Sequence, residues 1–310
     1  MGEAFRSGFI AITGRPNVGK STLLNRLTGE KISIVSSKPQ TTRNRIQGVL
    51  TGDGFQAIFI DTPGIHEPKT KLGGFMVINA EGTLGESDII IFITEADIKN
   101  FEKDVRIIAR FKTPALGENP DGNKKIKSPP VFLVLNKIDK FSKPETLNVI
   151  EKYKNAFPFS EIIPLSALTG ENADGMLAAI KQYLPEGPRY FPDDYITDRP
   201  EKFIISEIIR EKALLYLQDE IPHGVAVEVE VKEKKGSSEV NATIFCEKDS
   251  HKGIIIGKNG ALLKKIGQSA RVEIENLLGN KIFLQTWVKV KKNWRDDDFM
   301  LRTLGYGKQG

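Results

Sequence analysis

What constrains this 310-residue chain most is a stretch near its start, Gly14-Arg15-Pro16-Asn17-Val18-Gly19-Lys20-Ser21. It follows the apolar, β-branched run Gly8 to Thr13 and precedes Thr22-Leu23-Leu24-Asn25-Arg26-Leu27, which has helical spacing. Strand, glycine-rich loop, helix is the context that makes G-x-x-x-x-G-K-[ST] a phosphate cradle rather than an ordinary turn. Gly14 and Gly19 let the backbone curl so that successive N–H groups face phosphate oxygens, and the helix from Lys20 adds the positive end of its dipole. Lys20 is placed to reach β- and γ-phosphates, and Ser21 offers a hydroxyl to Mg²⁺.

A hydrophobic fraction of 39% with 27% charged residues is that of a soluble globular chain, long enough here for two domains. The single cysteine, Cys246, excludes an internal disulfide and reads as a small apolar strand residue in a reducing compartment. The longest apolar runs, Ile89–Ile93 and Val131–Leu135, are too short to span a bilayer. The N-terminus shows neither a signal-peptide core nor a myristoylation pattern, so the expected location is cytoplasmic. Charge is uneven. Residues 248–295 hold eleven Lys or Arg against three Asp or Glu, a local balance of +8 within a total of +5, which leaves the remainder at −3. That distribution fits either a polyanion partner for the C-terminal part or a solvated lysine-rich face.

Candidate strands at 8–13, 46–52, 55–60, 88–94, 131–135 and 161–165 alternate with helical spacing at 20–28, 101–112, 145–156 and 173–184. Several of these strands are continuous apolar runs, and the alternation predicts a mostly parallel sheet wrapped by helices. Prolines at 185, 188, 192 and 200 bound a Pro/Asp-rich segment that reads as an interdomain linker. Beyond it the order changes to a helix (203–220), strands 225–232 and 239–248 joined through Lys234-Lys235-Gly236-Ser237, and a helical stretch (253–278). A strand (281–291) and a short helix opened by Asp296-Asp297-Asp298 complete an α+β order. The expected domains are 1–184 and 201–310, with 185–200 between them. The Gly/Pro/Asn/Lys-rich patch 113–130 reads as a surface insertion.

Further motifs stand at the ends of apolar strands. Asp61-Thr62-Pro63-Gly64 closes the strand 55–60, where a carboxylate can hold Mg²⁺ through water and the Gly64 amide can approach a γ-phosphate. Asn136-Lys137-Ile138-Asp139 follows the strand 131–135. An Asp139 carboxylate there accepts from guanine N1–H and the exocyclic amine, but opposes the N1 acceptor of adenine. Lys137 can lie along the base plane. Ser166-Ala167-Leu168 follows 161–165 and offers the Ala167 amide to guanine O6.

With these motifs in order, residues 8–184 resemble a translation-factor-type GTPase domain, and Gln40-Thr41-Thr42-Arg43 fits the first switch of its Era-like branch. The resemblance implies a P-loop GTPase fold, GTP hydrolysis, and a GTP-binding set of Gly14, Arg15, Pro16, Asn17, Val18, Gly19, Lys20, Ser21, Thr22, Asp61, Gly64, Asn136, Lys137, Asp139, Ser166, Ala167 and Leu168. It implies Mg²⁺ held by Ser21, Asp61 and a switch threonine, Thr42 with Thr41 as the alternative. Catalytic roles fall to Lys20, Asn17, Thr42 and Gly64. The chain departs from the Ras-like pattern at Ile65, where a glutamine would orient the attacking water. In related GTPases the residue at Asn17 helps coordinate K⁺, so K⁺ is a second expected cofactor, supplying charge that an arginine finger provides elsewhere. Read by itself, Asn17 is equally a loop residue. Residues 61–74, with Gly64, Gly73 and Gly74, are expected to be ordered by the γ-phosphate and released after hydrolysis.

Gly257-Lys258-Asn259-Gly260 lies inside the basic stretch, after Ile254-Ile255-Ile256 and before the helical pattern Leu262, Ile266, Ala270, Ile274. Two glycines around two polar residues let a loop press its backbone on a sugar–phosphate chain. The surroundings resemble a KH domain of type II. Local propensity makes Ile254–Ile256 a strand; the resemblance predicts instead a short helix capped by Ser250. The RNA-binding set it implies is Ile256, Gly257, Lys258, Asn259, Gly260, Lys264, Lys265 and Arg271. A P-loop GTPase domain with a mostly parallel sheet covered by helices, followed by an α+β type II KH domain, resembles the Era family of bacterial GTPases over essentially the whole chain. That family implies GTP and GDP, the 3′ end of 16S ribosomal RNA and the 30S subunit as partners, with a role in subunit assembly. It also implies a monomer and peripheral association with the inner membrane, with no transmembrane segment.

Two other function classes compete. A pure RNA-binding protein with a vestigial nucleotide site is opposed by intact Lys20, Ser21, Asp61 and Asp139. A metabolic phosphotransferase lacks any further acid/base constellation, and His66, His223 and His251 form no metal-ligand spacing.

Overall fold

The computed structural model describes residues 4–36, 38, 41–64, 70–111, 129–218, 221–234 and 237–306. The backbone groups into two compact units, one formed by Met1–Lys31, Asn44–His66 and Met76–Asp198, the other by Ile32–Arg43, Glu67–Phe75 and Arg199–Gly310.

The first unit contains β1 (Arg6–Thr13), α1 (Lys20–Thr28), β2 (Ile46–Gly52), β3 (Phe55–Asp61), α2 (Lys71–Gly85, from Met76 onward), β4 (Ile89–Glu95), α3 (Phe101–Ile108), β5 (Val131–Asn136), α4 (Lys143–Lys154), β6 (Glu161–Pro164) and α5 (Ala173–Tyr183). Its six strands run in the order β2-β3-β1-β4-β5-β6, and only β2 is antiparallel to its neighbour. β5 is buried along its whole length and β4 up to Thr94, which is why these strands are continuous apolar runs without alternation. Ile107, Ile108, Val149 and Tyr153 of α3 and α4 pack on them. Parallel strands deliver their carboxyl ends to one edge of the sheet, so the loops after β1, β3, β4, β5 and β6 gather there. α4 is opened by a capping box in which Ser142 and Glu145 serve each other's backbone N–H.

α2 has no counterpart among the expected helices. It holds Gly73, Gly74, Gly82 and Gly85, and burial of Leu72, Met76, Ala80 and Thr83 supplies what helix propensity lacks. The expected helix 101–112 is shorter, ending at Ile108 before a 3₁₀ turn over 109–111. Residues 185–198, read from sequence as linker, are fastened to the first unit. Buried Gln56 accepts from Tyr190 N and Phe191 N at 2.8 and 3.0 Å, and Val49 N donates to Ile196 O at 2.8 Å. Of the patch 113–130, all but Pro129 and Pro130 lies outside the described residues.

The second unit carries α6 (Glu201–Tyr216), β7 (Ala226–Lys234), β8 (Ser237–Cys246), α7 (Asp249–Ile256), α8 (Ala261–Leu278), β9 (Lys281–Val290) and α9 (Asp298–Thr303). Its sheet runs β7-β8-β9, antiparallel then parallel. β8 alternates half-buried and buried residues, and Val240, Ile244 and Cys246 face a core completed by Ile205 and Ile209 of α6 and Ile266 and Ile274 of α8. Ile254–Ile256 are helical, against their strand propensity, with Ile255 sealed in that core. The expected cap is corrected. Helix α7 begins two residues earlier than a Ser250 cap allows; Lys248 takes the cap position and Ser250 sits in the first turn. At the other end Asp297 accepts from Phe299 N and Met300 N and opens α9.

Candidate functional site

The loop between β1 and α1 is held from several sides. Lys20 is buried, and its ammonium donates to Gly14 O at 3.2 Å and Arg15 O at 2.9 Å. Burial pushes its pKa down to about 8, with the Asp61 charge opposing the shift and Arg15 adding to it. Gly19 adopts φ +106, and a Cβ there would meet Asn136 Nδ2 at 2.1 Å. Only glycine, therefore, lets the Asn136 amide donate to Val18 O at 2.8 Å. That bond ties the phosphate loop to the loop after β5.

Ser21 Oγ donates to Asp61 Oδ2 at 2.7 Å, and Asp61 is fully buried at the end of β3. A hydroxyl and a carboxylate side by side are the hard oxygen donors that Mg²⁺ takes, so the pair fits that ion. A Cβ on Gly64 would fall 2.9 Å from Pro16 N, so the chain after β3 passes directly against the phosphate loop.

Asn136 also accepts from Ala167 N at 2.9 Å, and Ser166 Oγ donates to Asp139 Oδ1 at 2.6 Å. The Ala167 amide expected for guanine O6 is thus engaged by Asn136 in this structure. Lys137, expected along the base plane, donates to Asn17 O at 2.9 Å and pairs with Glu95 at the end of β4. Leu168 is exposed, and its carbonyl accepts from Arg26 Nη2 of α1. Asn17 stands in the left-handed region with φ 65.

Arg15 does not reach toward the loop's interior. Its guanidinium bonds to Asp104 Oδ1 at 2.7 Å and Oδ2 at 3.4 Å; Asp104 is fully buried and also accepts from Thr94 Oγ1 and Tyr153 OH, each at 2.7 Å. Burial and the Asp104 charge raise the Tyr153 pKa, so its hydroxyl stays a donor. This network was missed in the sequence, yet a signal was present. Asp104 takes the first place in the apolar helical series Ile107, Ile108, Phe111, where a carboxylate needs partners.

Thr41 and Thr42, both buried, belong to the second unit. Thr41 O accepts from Arg210, itself paired with Glu207 in the interior of that unit, and Val35 N donates to Glu211 Oε1 at 2.8 Å. Arg43 is 2% exposed and donates to Val225 O at 2.7 Å and His223 O at 3.0 Å, its guanidinium 5.5 Å from the Trp294 ring centre and 5.8 Å from that of Tyr306. Lys71 N donates to Asp296 Oδ1 at 2.8 Å. Gln40, Ile65 and His66 lie outside the described residues.

Between α7 and α8, Gly257 (φ 75, ψ 173), Asn259 (φ 53) and Gly260 (φ 76) turn the chain so that Lys258 and Asn259 are exposed. Ile256 is half-buried beside them, and Lys264, Lys265 and Arg271 are exposed on α8. Lys265 lies 4.3 Å from the Tyr216 ring centre, and Arg271 pairs with Glu275 at 3.0 Å.

Residues 9–137 match the family model described as 50S ribosome-binding GTPase, and residues 220–295 match that of the KH domain. GTPase Era of Ruminiclostridium cellulolyticum is 54% identical over 98% of both chains, and GTPase Era of Clostridium acetobutylicum is 51% identical over 97% of this chain and 98% of its own. Among solved structures, an Aquifex aeolicus Era variant bound to GDP·AlF4⁻ matches with a TM-score of 0.90 and 40% identity, covering 98% of this chain and 100% of that one. Era in complex with MgGDPNP and nucleotides 1506–1542 of 16S ribosomal RNA matches with a TM-score of 0.90 and 40% identity, over 98% and 99%.

Proposed function

The chain belongs to the GTPase Era family, and on that premise we propose that it is a GTP-hydrolysing switch that binds small-subunit ribosomal RNA and assists assembly of that subunit. One observation carries the switch reading. The described residues of 32–43, which include both candidate switch threonines, and those of 70–75, after the Asp61–Gly64 motif, belong to the unit that bears the GxxG loop. Segments that answer to a γ-phosphate are then part of the RNA-binding body.

Lys20 leaves the carbonyls of Gly14 and Arg15 for the β- and γ-phosphates, and the Gly64 amide donates to the γ-phosphate. Ser21, Thr42 and Asp61 hold Mg²⁺, which when bound neutralises phosphate charge. Asp139 selects guanine. Asn17 holds K⁺ beside the phosphates; single-turnover hydrolysis should be faster in K⁺ than in Na⁺ at equal ionic strength, and equal rates would remove that role. Water attacks the γ-phosphorus, GDP leaves, and Lys20 meets the charge developing on the leaving oxygen. Ile256, Gly257, Lys258, Asn259, Gly260, Lys264, Lys265 and Arg271 take the RNA. The same reading has a monomer acting in the cytoplasm, with membrane contact peripheral. Among the described residues no helix is long and apolar enough to cross a membrane.

The test is RNA affinity with GDP and with a non-hydrolysable GTP analogue, followed by the reciprocal nucleotide titrations. Linkage requires the same factor in both directions, about 1–3 kcal/mol. Identical RNA affinities in the two nucleotide states would reduce the protein to two tethered domains.

A further inference from the structure

The strand β9 has two unlike faces. Ile282 and Val288 are buried in the core of the second unit, while the alternate residues Lys281, Phe283, Gln285, Trp287 and Lys289 lie on the opposite face. On that face Phe283 is 59% exposed and Trp287 46%. β9 is also an edge of the three-stranded sheet. Two large aromatic side chains in the open on one edge strand, bracketed by two lysines, are not accounted for by packing.

We propose that this outer face of β9 is a second RNA-binding surface, on which bases of a single strand stack on Phe283 and Trp287 while Lys281 and Lys289 meet the phosphates. The inference rests on the RNA-binding reading above and extends it to the side of the sheet away from α8. Three observations select RNA as the occupant. Both charged side chains at the outward register positions of β9 are lysines, Lys281 (which also meets Glu275 of α8 at 3.3 Å) and Lys289, and Lys291 and Lys292, which follow the strand, are exposed. Aromatic faces on a strand accept any base by stacking, and four residues of strand separate the two rings by about 13 Å, room for more than one base. Third, a GxxG loop clamps about four nucleotides, whereas the RNA in the complex of the similar Era spans nucleotides 1506–1542. On the same face Glu239 of β8 stands beside Phe283, and β7 places Glu228 and Glu230 opposite Thr243 and Asn241 and Lys232 opposite Glu239, so charge of lysine alone is confined to β9 and the RNA strand runs along it.

The protein's two tryptophans make the test direct, since Trp294 is fully buried and Trp287 is not. Titrating the full chain with the RNA of nucleotides 1506–1542 should quench its tryptophan emission, and Trp287→Phe should abolish that change while keeping most of the affinity. Phe283→Ala combined with Trp287→Ala should weaken binding of this RNA by about 30-fold or more. GTP hydrolysis and the unfolding midpoint should stay as in the parent chain. A control changes the GxxG loop, Lys258→Asp with Asn259→Asp. If the loop variant loses the RNA while the aromatic variant binds it as tightly as the parent, the β9 surface is overturned and the KH reading stands. If neither variant loses affinity, both fail. If instead the parent sediments as a dimer that the aromatic double variant converts to monomer with RNA affinity unchanged, the face belongs to a second copy and the proposal is overturned.

Discussion

The phosphate loop and the GxxG loop are both glycine-flanked turns leading into a helix, and they are finished to very different degrees. In the first, Lys20, Ser21, Arg15 and Asn136 are bonded within the protein before any ligand is considered. In the second, Lys258 and Asn259 are exposed and the turn is held by backbone groups, Gly257 N donating to Gly253 O at 2.9 Å and Gly260 N to Gly257 O at 3.1 Å. A site for one small, dense anion can be surrounded, and its groups must be oriented in advance because burial makes a stray polar atom costly. A loop that meets a long polymer is approached from outside and can leave its side chains in water until contact.

The sharpest way to break that contrast is Asp104→Asn. It removes the buried charge that pairs with half-buried Arg15 and accepts from Thr94 and Tyr153, and should cost about 3 kcal/mol of stability in urea unfolding, whereas Lys258→Ala with Asn259→Ala should stay within about 0.5 kcal/mol. Equal effects would show that the phosphate loop is no more pre-built than the other.

Next in size is ligand selection. Asp139→Asn should weaken GTP binding by at least about 2 kcal/mol, because one carboxylate serves two guanine donors, and should admit xanthine nucleotides. Unchanged GTP affinity in calorimetry would remove the guanine assignment. The matched charge change, Lys258→Asp with Asn259→Asp, should abolish RNA binding with GTP affinity intact.

Backbone shape is the third measure. Gly257 has φ 75 and ψ 173, and a Cβ there would meet Leu262 Cβ at 2.7 Å. Gly257→Ala should therefore cost about 1–3 kcal/mol, read as lost RNA affinity and a lower unfolding midpoint. A neutral result would mean that the loop's conformation is adopted only on contact.

The smallest effect is a proton. With its pKa held at about 8 by burial, Lys20 begins to lose its charge above that pH in the free protein, while bound phosphates restore the charged form. Binding then takes up a proton between about pH 8 and the ordinary lysine range, so GTP affinity should fall as pH rises there, by at most about tenfold per pH unit. Calorimetry in buffers of different ionisation enthalpy would detect the uptake; a flat profile to pH 10 would contradict it.

Much of this was legible in the chain. Ile89–Ile93 and Val131–Leu135 are apolar without interruption because both faces are buried, and turn chemistry marked the loops after them. α2 was illegible because four glycines erase its propensity and only tertiary burial restores it. Ile254–Ile256 look like strand locally, and packing against the α8 core decides otherwise. Within the site, the phosphate loop and the motifs at Asp61, Asn136 and Ser166 stand at the ends of the strands expected to carry them, but their partners did not announce themselves. Glu95, Tyr153 and Thr94 lie far from Lys137 and Arg15 in sequence, and only the sheet brings them close.

Arg43, closed in between Trp294 and Tyr306 and bonded to the carbonyls of Val225 and His223, bears on how such a protein can be cut and recombined. A C-terminal fragment starting at residue 201 keeps its sheet and helices but loses the cation around which its last aromatic residues close. A chimera that grafts this half onto another GTPase must carry residues 32–43 with it, or supply an arginine in their place. The two halves are therefore not interchangeable modules: the exchangeable piece is discontinuous in sequence, and a crossover between residues 43 and 201 would part it from its own plug.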